Sequence, residues 1–237
     1  MPTLRTAFSF ATLLCLAAPA AAQEFGYSGD IGPEHWGELS PAWAECARGT
    51  EQSPVDLAHR RIPVRRESKL PIAYGETEGE IFNNGHTIEV ETEGENFLEL
   101  DGEAYELIQF HFHTPSEHVA GGRGYDMELH LVHRSEAGEL AVVGVFLQRG
   151  ATSAALAPIF EQLPDEVGPH TPLAEPFDPS DFLPEKRRNF RYQGSLTTPP
   201  CSEGVRWMVL VDAMPISDED MARFNEIVRF NARPVQR

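Results

Sequence analysis

The chain has 237 residues, 41% of them hydrophobic, which is enough for one domain with a sizeable core. It carries 37 acidic and 19 basic side chains, so its formal net charge at pH 7 is −18 with histidine neutral. This charge argues against nucleic acid and anionic membrane surfaces as partners, because both repel an acidic protein.

The first 22 residues are typical of a secretory signal peptide. Arg5 precedes an apolar run from Ala7 to Ala18, and Ala20–Ala22 supply small residues for cleavage. A membrane anchor is the alternative, but the run is shorter than the roughly 20 residues that a spanning helix needs. We therefore expect a single mature domain of residues 23–237, periplasmic or secreted, with no membrane association after cleavage. Loss of Arg5 would change its formal charge to −19.

The cysteines fit an exported protein. Cys15 lies within the predicted leader and lacks the small residues directly before it that a lipoprotein signal would have, so Cys46 and Cys201 remain after cleavage. In an oxidising compartment these two predict a disulfide. It would close a loop of about 155 residues and stabilise the fold by roughly 5 kcal/mol at most in the chain-entropy model. Two free buried thiols are the alternative.

The region before the first clear strand is rich in glycine, proline and polar residues. Residues 23–80 are therefore expected to form mostly loops, with a short helix at Ser40–Trp43 where Ser40 caps and Pro41 takes the first turn. From Ile81 onward, alternation and β-branched or aromatic content predict strands. They are Thr87–Thr92, Phe97–Leu100, Ala104–His113, Asp126–His133, Leu140–Leu147, Asn189–Leu196 and Val205–Val211.

Helices are predicted at only two further places. One is Ser153–Leu163 and the other is Ser217–Phe230, where Ser217 and Asp220 could form a capping box. The chain shows no internal repeat, low-complexity tract or interdomain linker. These patterns predict a mainly β domain with a few short helices.

The strongest functional signal is the stretch Gln109–His113. Side chains alternate across a strand, so Gln109, His111 and His113 would share one face, with Ile108, Phe110 and Phe112 on the opposite one. A bare His-x-His is more often a pair of ordinary core or surface histidines. A third histidine on a neighbouring strand changes that interpretation.

That third histidine is His130. The glycine-rich stretch at 121–124 is placed to turn the chain back, so that Glu128 and His130 come beside the first pair. Three imidazoles with a vacant fourth position are typical of a catalytic zinc site. Gln109 and Glu128 each lie two residues before a histidine and could accept the ring N–H that His111 or His130 does not use for the metal.

Ordered motifs along the chain resemble the α-class carbonic anhydrases, and particularly their secreted bacterial members. The resemblance covers about 27–234. It rests on Gly32–Trp36, Gln52–Val55, Asn83–His86, Gln109–His113, Ser116–His118, Glu128–His133, Gly194–Cys201 and Asn231–Pro234. It implies a large twisted, mostly antiparallel central sheet with zinc at the bottom of a conical cleft.

The resemblance also assigns roles to individual residues. His111, His113 and His130 would bind Zn²⁺, and the backbone carbonyl of Asn231 would orient His113. Thr197 would accept a hydrogen bond from the attacking hydroxide and donate its own to Glu117. The carbon dioxide pocket would be lined by Val132, Val142, Leu196, Val205 and Trp207.

The polar wall of the cleft would contain Tyr27, Asn84 and Glu89. Glu89 departs from the family, whose members more usually have a neutral amide at this position. His86 would be the proton shuttle, because an imidazole has a pKa close to that of zinc-bound water. A surface histidine in an Asn-Gly turn is the alternative for His86.

The expected reaction is reversible hydration of carbon dioxide to bicarbonate and a proton, with slow hydrolysis of activated esters. Two other functions fit less well. The spacing from His111 to Gly124 resembles the first cupin motif, but the second cupin motif is absent. A carbonic-anhydrase-like domain kept for binding or zinc storage is a further alternative, although no ligand histidine is missing. The sequence leaves oligomeric state open, with a homodimer among the alternatives.

Overall fold

The computed structural model describes residues 24–58, 62, 64–65 and 70–236. Twelve strands form one twisted sheet among these residues. They are β1 Val64–Arg65, β2 Ile72–Ala73, β3 Glu78–Asn83, β4 Ile88–Glu93, β5 Phe97–Leu100, β6 Glu103–His113, β7 Met127–Ser135, β8 Leu140–Arg149, β9 Thr171–Pro172, β10 Asn189–Ser195, β11 Glu203–Leu210 and β12 Met214–Ile216. The predicted mainly β fold is confirmed.

The helices are short and lie around the sheet. They are α1 Trp36–Leu39, α2 Glu45–Arg48, α3 Ala157–Phe160 and α4 Asp218–Ile227, with 3₁₀ turns at Gly29–Ile31, Pro41–Trp43 and Pro179–Phe182. In the predicted turn at Ser40–Trp43, the Ser40 hydroxyl accepts a hydrogen bond from the Ala42 N–H. No helix of the described residues is long and apolar enough to cross a membrane.

The sheet is mostly antiparallel. Its main strand order is β1-β10-β11-β8-β7-β6-β4-β3-β9, while β12 pairs with β8, and β5 pairs with β2 and β6. Among the twelve strands of the described residues, only the pairs of β8 with β11 and β12 are parallel. The three longest strands, β6, β7 and β8, are neighbours at its centre. A side chain on either face of β7 is therefore held by hydrogen-bonded strands on both sides.

Each face of the sheet has its own apolar cluster. The larger cluster includes Val90, Phe110, Leu129, Val143 and Met208 and is covered by residues of α3 and α4. The smaller cluster lies on the face that carries the histidines and includes Val132, Val142, Val205, Trp207 and Val209. Burial of the first cluster accounts for most of the core, so the second face is left for the site.

One predicted face assignment is wrong. Ile108 was expected on the side of Phe110 and Phe112, but it packs against the cluster that contains Val132 and Trp207. The cause is a shift of register between Leu107 and Gln109, where β6 pairs with β7. Such a bulge adds one residue to a strand and reverses the alternation before it.

The predicted strands are confirmed to within three residues at each end, but short strands were missed. β1, β2, β9 and β12 have only two or three residues, too few to show an alternating pattern. β3, at Glu78–Asn83, was missed as well, because residues up to 80 were expected to form mostly loops and the first predicted strand was Thr87–Thr92.

Both long predicted helices are shorter in the structure. The segment 153–163 contains only the four-residue α3. Pro158 lies in its first turn, where a missing backbone N–H is tolerated, and a helix that began at Ser153 would instead place this proline in its interior. α4 is capped by Ser217, whose hydroxyl accepts from the Asp220 N–H at 3.0 Å as predicted. It ends at Ile227 rather than at Phe230, because Val228 has an extended backbone that carries the chain back toward the site.

The predicted disulfide between Cys46 and Cys201 is present. It joins the end of the N-terminal region, in α2, to the loop that follows β10 and contains Thr197. The predicted leader, residues 1–22, lies outside the described part of the chain.

Candidate active site

Three imidazoles meet on one face of the central strands. His111 and His113 lie on β6, and His130 lies on β7 directly opposite His111. One ring nitrogen from each lies within 4.8 Å of the others. His113 and His130 are buried, whereas His111 is partly open to the cleft. Alternation along β6 and the pairing of β6 with β7 together produce this cluster.

The second nitrogen of each ring already has a partner. His111 Nδ1 lies 2.8 Å from Gln109 Oε1, and His113 Nδ1 lies 2.8 Å from the Asn231 carbonyl oxygen. His130 uses the other nitrogen, with Nε2 at 3.1 Å from Glu128 Oε1. Each acceptor fixes its ring and leaves Nε2 of His111, Nε2 of His113 and Nδ1 of His130 for a shared ligand.

These nitrogens fit a metal cation. His113 Nε2 is buried and has no hydrogen-bond partner, an arrangement that costs about 1–3 kcal/mol unless something binds there. Burial, with a smaller effect of neighbouring histidines, holds the pKa of His111 well below its usual range. Burial also lowers the pKa of His113 to about 4. All three rings are therefore neutral at pH 7, which is the form that binds a metal.

Glu128 holds together the buried side of the site. Its Oε2 accepts the backbone N–H groups of Glu117 and His118, while its Oε1 lies 2.7 Å from His118 Nδ1 as well as near His130. Burial alone would raise the pKa of Glu128, but the charges and hydrogen bonds of His118 and His130 hold it well below the usual range. The hydrogen bonds that join Glu128 to His118 and His130 fix the positions of these three side chains.

His118 extends this support to β10. Its Nε2 lies 2.5 Å from the Tyr192 hydroxyl, which lies 2.9 Å from Ser53 Oγ. Sequence reasoning used His118 only as part of a motif and gave Tyr192 no role. No local sequence pattern identifies these contacts, because each joins segments more than 70 residues apart.

Glu117 is the carboxylate nearest to the three nitrogens. Its Oε2 lies 3.6 Å from His113 Nε2 and 4.0 Å from His130 Nδ1, and its Oε1 accepts the Arg233 backbone N–H at 2.8 Å. Burial raises the pKa of Glu117 to about 7, against the charge of His130, the hydrogen bond of the Thr197 side chain and the Arg233 N–H. The backbone of Arg233 is a contributor that the sequence interpretation missed.

An apolar row borders the histidines. Val132, Val142 and Trp207 are successive neighbours across β7, β8 and β11, on the same face as His130. Val205 is buried in the same cluster, and Leu196 packs against it. The structure therefore brings all five predicted pocket residues to the face that carries the histidines. Apolar side chains there suit a small uncharged substrate.

Polar side chains border the histidines on the opposite side. Glu89 lies directly across β4 and β6 from His111, and its Oε2 accepts a hydrogen bond from Asn84 Nδ2 at 3.1 Å. Burial, followed by the charge of Glu91, raises the pKa of Glu89 to about 6. Burial also raises the pKa of Tyr27, and the charge of Glu117 adds to this effect. The Tyr27 ring packs edge-on against Phe25 and Trp36.

His86 lies in the turn between β3 and β4, at the edge of this polar side. Asn84 Oδ1 accepts the His86 N–H at 2.9 Å and thereby fixes the turn. The His86 ring stacks on Phe25 with 3.8 Å between centroids and 11° between planes. Burial lowers the pKa of His86, and the charge of Glu24 opposes this effect. Phe25 had no predicted role.

The family comparison agrees with this arrangement. The model of the eukaryotic-type carbonic anhydrase family matches residues 31–236. The chain belongs to the α-class carbonic anhydrases. A carbonic anhydrase of Nostoc sp. is 43% identical over 242 residues, covering 100% of this chain and 90% of the relative. Family membership supports carbon dioxide hydration as the reaction.

Solved structures give the same result. An α-carbonic anhydrase from Thermovibrio ammonificans, in complex with the inhibitor sulfanilamide, is 40% identical with a TM-score of 0.86, covering 92% of this chain and 96% of its own. Dioscorin complexed with ascorbate is 32% identical with a TM-score of 0.83, covering 90% and 94%. A shared fold does not by itself imply a shared reaction.

Proposed function

We propose that this carbonic anhydrase depends on zinc, held by His111, His113 and His130, for the reversible hydration of carbon dioxide. The observation that supports this most directly is the convergence of three neutral imidazoles whose second nitrogens are all occupied. Zinc, in the family of carbonic anhydrases generally, lowers the pKa of a coordinated water to about 7 and so supplies a nucleophile near neutral pH.

Thr197 and Glu117 orient the nucleophile. Because the Arg233 N–H fixes one carboxylate oxygen of Glu117, the carboxylate can accept a hydrogen bond from the Thr197 hydroxyl. The Thr197 oxygen then presents a lone pair to the cleft and accepts a hydrogen bond from the nucleophile. This leaves the lone pair of the attacking oxygen directed at substrate, which is a positioning effect.

Carbon dioxide binds against the apolar row. Val132, Val142, Leu196, Val205 and Trp207 offer no charged partner, so they favour an uncharged linear molecule over bicarbonate. Bicarbonate therefore leaves once it forms. The same nucleophile hydrolyses activated esters slowly, and loss of both activities on chelation would be expected.

His86 accepts the released proton through water and passes it to buffer. An unperturbed imidazole has a pKa of about 6.5, near that of the acid it must deprotonate. Burial lowers the pKa of His86 from this value, which weakens it as an acceptor and favours release of the proton to buffer. Asn84, Tyr27 and Glu89 provide the polar surface along which this water lies. The oxidised Cys46–Cys201 pair agrees with our proposal of a periplasmic or secreted enzyme.

The test of this proposal replaces one of the three proposed zinc-binding histidines. We expect His130→Ala to lose hydration activity and most bound zinc, because two imidazoles and water hold the ion more weakly than three. Metal content by mass spectrometry and stopped-flow hydration measure both quantities. His35→Ala is the matched control, since His35 is a half-exposed histidine away from the cluster. Full activity in His130→Ala would refute the ligand assignment, and a wild-type protein that binds zinc without hydrating carbon dioxide would favour a binding role.

A further inference from the structure

A further histidine, His170, lies in line with the zinc-facing histidines. β3 and β9 pair with Ile81 opposite Thr171 and Glu80 opposite Pro172, so the next position in this register places His170 beside Phe82. Phe82 lies opposite Glu89, and Glu89 lies opposite His111. Directly opposite residues share a face. His170 is therefore the outer end of a row that begins at His111.

The number of strands in this row gives the distance between His111 and His170. Three strand spacings separate the backbone of His111 from that of His170, or roughly 15 Å at about 4.8 Å for each spacing. The interval on this face contains Glu89, with its hydrogen-bonded partner Asn84, and the ring of Phe82, on which His170 stacks. The charge of His170 lowers the pKa of Glu89, which places the two side chains near each other.

Three contacts fix the His170 ring. It stacks on Phe82 with 3.8 Å between centroids and 6° between planes. Its Nδ1 lies 3.3 Å from Glu91 Oε2 and 3.6 Å from Glu80 Oε2. Carboxylates beside Nδ1 favour the tautomer with the proton on that nitrogen, so Nε2 is left to accept another. The His170 side chain is 37% exposed, so solvent and buffer reach it.

His170 explains why the carboxylates of Glu80 and Glu91 can lie close together. Glu80 and Glu91 are directly opposite each other on β3 and β4, and like charges in this position destabilise a sheet. The Nδ1–H of His170 lies between the two carboxylates and offsets part of this repulsion. The charged groups from β3 and β4 that surround His170 are Glu80, Glu91 and, further in, Glu89.

We propose that His170 is a second proton acceptor of this enzyme, acting beside His86, and that Glu80 and Glu91 position its ring. This inference rests on the proposed function. Hydration converts carbon dioxide and water into bicarbonate and one proton. That proton travels along water on the polar side of the cleft to Nε2 of His170, and from the imidazolium to buffer. No other bond is formed or broken.

The experiment compares single and double variants of the zinc-loaded enzyme in weak buffer. His86→Ala should lower kcat while leaving kcat/KM nearly intact, because proton release follows substrate conversion. His86→Ala/His170→Ala should lower the remaining kcat by about threefold or more, and added imidazole should restore it in both variants. His86→Ala/His35→Ala is the matched control and should equal His86→Ala alone.

One further variant distinguishes an effect on the position of the His170 ring from an effect on folding. Glu80→Gln/Glu91→Gln in the His86→Ala background should also lower kcat in weak buffer, with kcat/KM unchanged and imidazole rescue retained. A merely structural effect of these residues would lower kcat/KM and would not respond to imidazole.

The outcomes distinguish this inference from the proposed function. Equal kcat in weak buffer for His86→Ala and His86→Ala/His170→Ala would overturn the role of His170 and leave hydration activity untouched. Absence of hydration by the zinc-loaded wild type would overturn the proposed function, and the His170 role with it.

Discussion

Histidine serves different purposes in this protein, and the partner of each ring decides which. His111 has one nitrogen bound to an amide oxygen and one facing the other imidazoles. His118 has partners on both nitrogens and can only support its neighbours. His86 and His170 stack on phenylalanines at the edge of the polar side, where solvent reaches them. A residue's role here follows from which nitrogens remain available.

A prediction about a single residue concerns Thr197. Thr197→Val keeps the shape of the side chain but removes its hydroxyl, so the attacking oxygen loses its acceptor. We expect kcat/KM for hydration to fall by about 100-fold, the typical effect of removing one such preorganised hydrogen bond. Stopped-flow kinetics with a zinc assay measures it.

Thr197→Ser is the matched control for that variant. It keeps the hydroxyl and should retain most of kcat/KM, and both variants should bind a full equivalent of zinc because Thr197 is not a ligand. A Thr197→Val enzyme with wild-type kcat/KM would show that the Thr197 hydroxyl does not orient the nucleophile.

Local and distant contacts explain which site residues could be predicted. The histidine pair and its neighbour Gln109 could be read from strand alternation, because residues two apart share a face. Thr197 and Glu117 received roles only through the family resemblance. The Arg233 N–H that holds Glu117 joins residues 116 positions apart and is a backbone group, so no side-chain pattern identifies it.

At the scale of elements, strand length determined what the sequence could predict. β6, β7 and β8 have 9 to 11 residues and show clear patterns. The bulge between Leu107 and Gln109 was missed because it depends on how β6 pairs with β7 rather than on local sequence. It lies before Gln109, so the predicted face of the histidines was unaffected.

The disulfide gives a prediction at the scale of elements. Cys201 follows the Thr197 loop, Gln52 donates to its carbonyl oxygen, and the Cys46 carbonyl oxygen accepts from the Arg233 guanidinium. Cys46→Ala/Cys201→Ala should therefore lower the free energy of unfolding by about 2–5 kcal/mol. Urea denaturation at pH 7 measures this loss, and reductant should produce a similar loss in the wild type. An unchanged urea midpoint in both would contradict it.

His133 predicts how stability changes with pH. It is buried on β7, hydrogen-bonded to the Tyr74 hydroxyl and to the Ala141 carbonyl oxygen. Burial lowers its pKa to about 4. The unfolded chain takes up a proton at this residue near pH 6.5, whereas the folded protein does so only near 4. Stability is therefore lost as pH falls between these values, by about 3 kcal/mol as an upper figure.

The measurement compares urea unfolding of metal-free wild type with His133→Asn at pH 7 and pH 5. Asparagine can still donate to Ala141 but does not titrate. The variant should lose less stability than wild type over this interval, even where its stability at pH 7 is lower. Both metal-free proteins contain His111, His113 and His130, so the contributions of these three residues cancel. Equal losses would show that His133 does not contribute.

For the whole molecule, composition could exclude partners but could not specify the site. The acidic balance makes nucleic acid and anionic membranes unfavourable partners. Glu80 and Glu91 are part of this balance, yet their meaning depends on His170, which the chain brings back almost 80 residues later. Net charge does not reveal such arrangements.

The final prediction concerns export, which connects the leader to the disulfide. Expressed in a bacterium with a periplasm, the full chain should be cut before Gln23, because Ala20–Ala22 provide the small residues that signal peptidase requires. Intact mass of the protein released by osmotic shock measures the cut, and thiol titration under denaturing conditions should find no free thiol. A chain lacking residues 2–22 should stay in the reducing cytoplasm with Cys46 and Cys201 as thiols and should unfold at lower urea. Uncut, cell-retained full-length protein would refute the leader, whereas exported protein with two reactive thiols would refute only the oxidation of the pair.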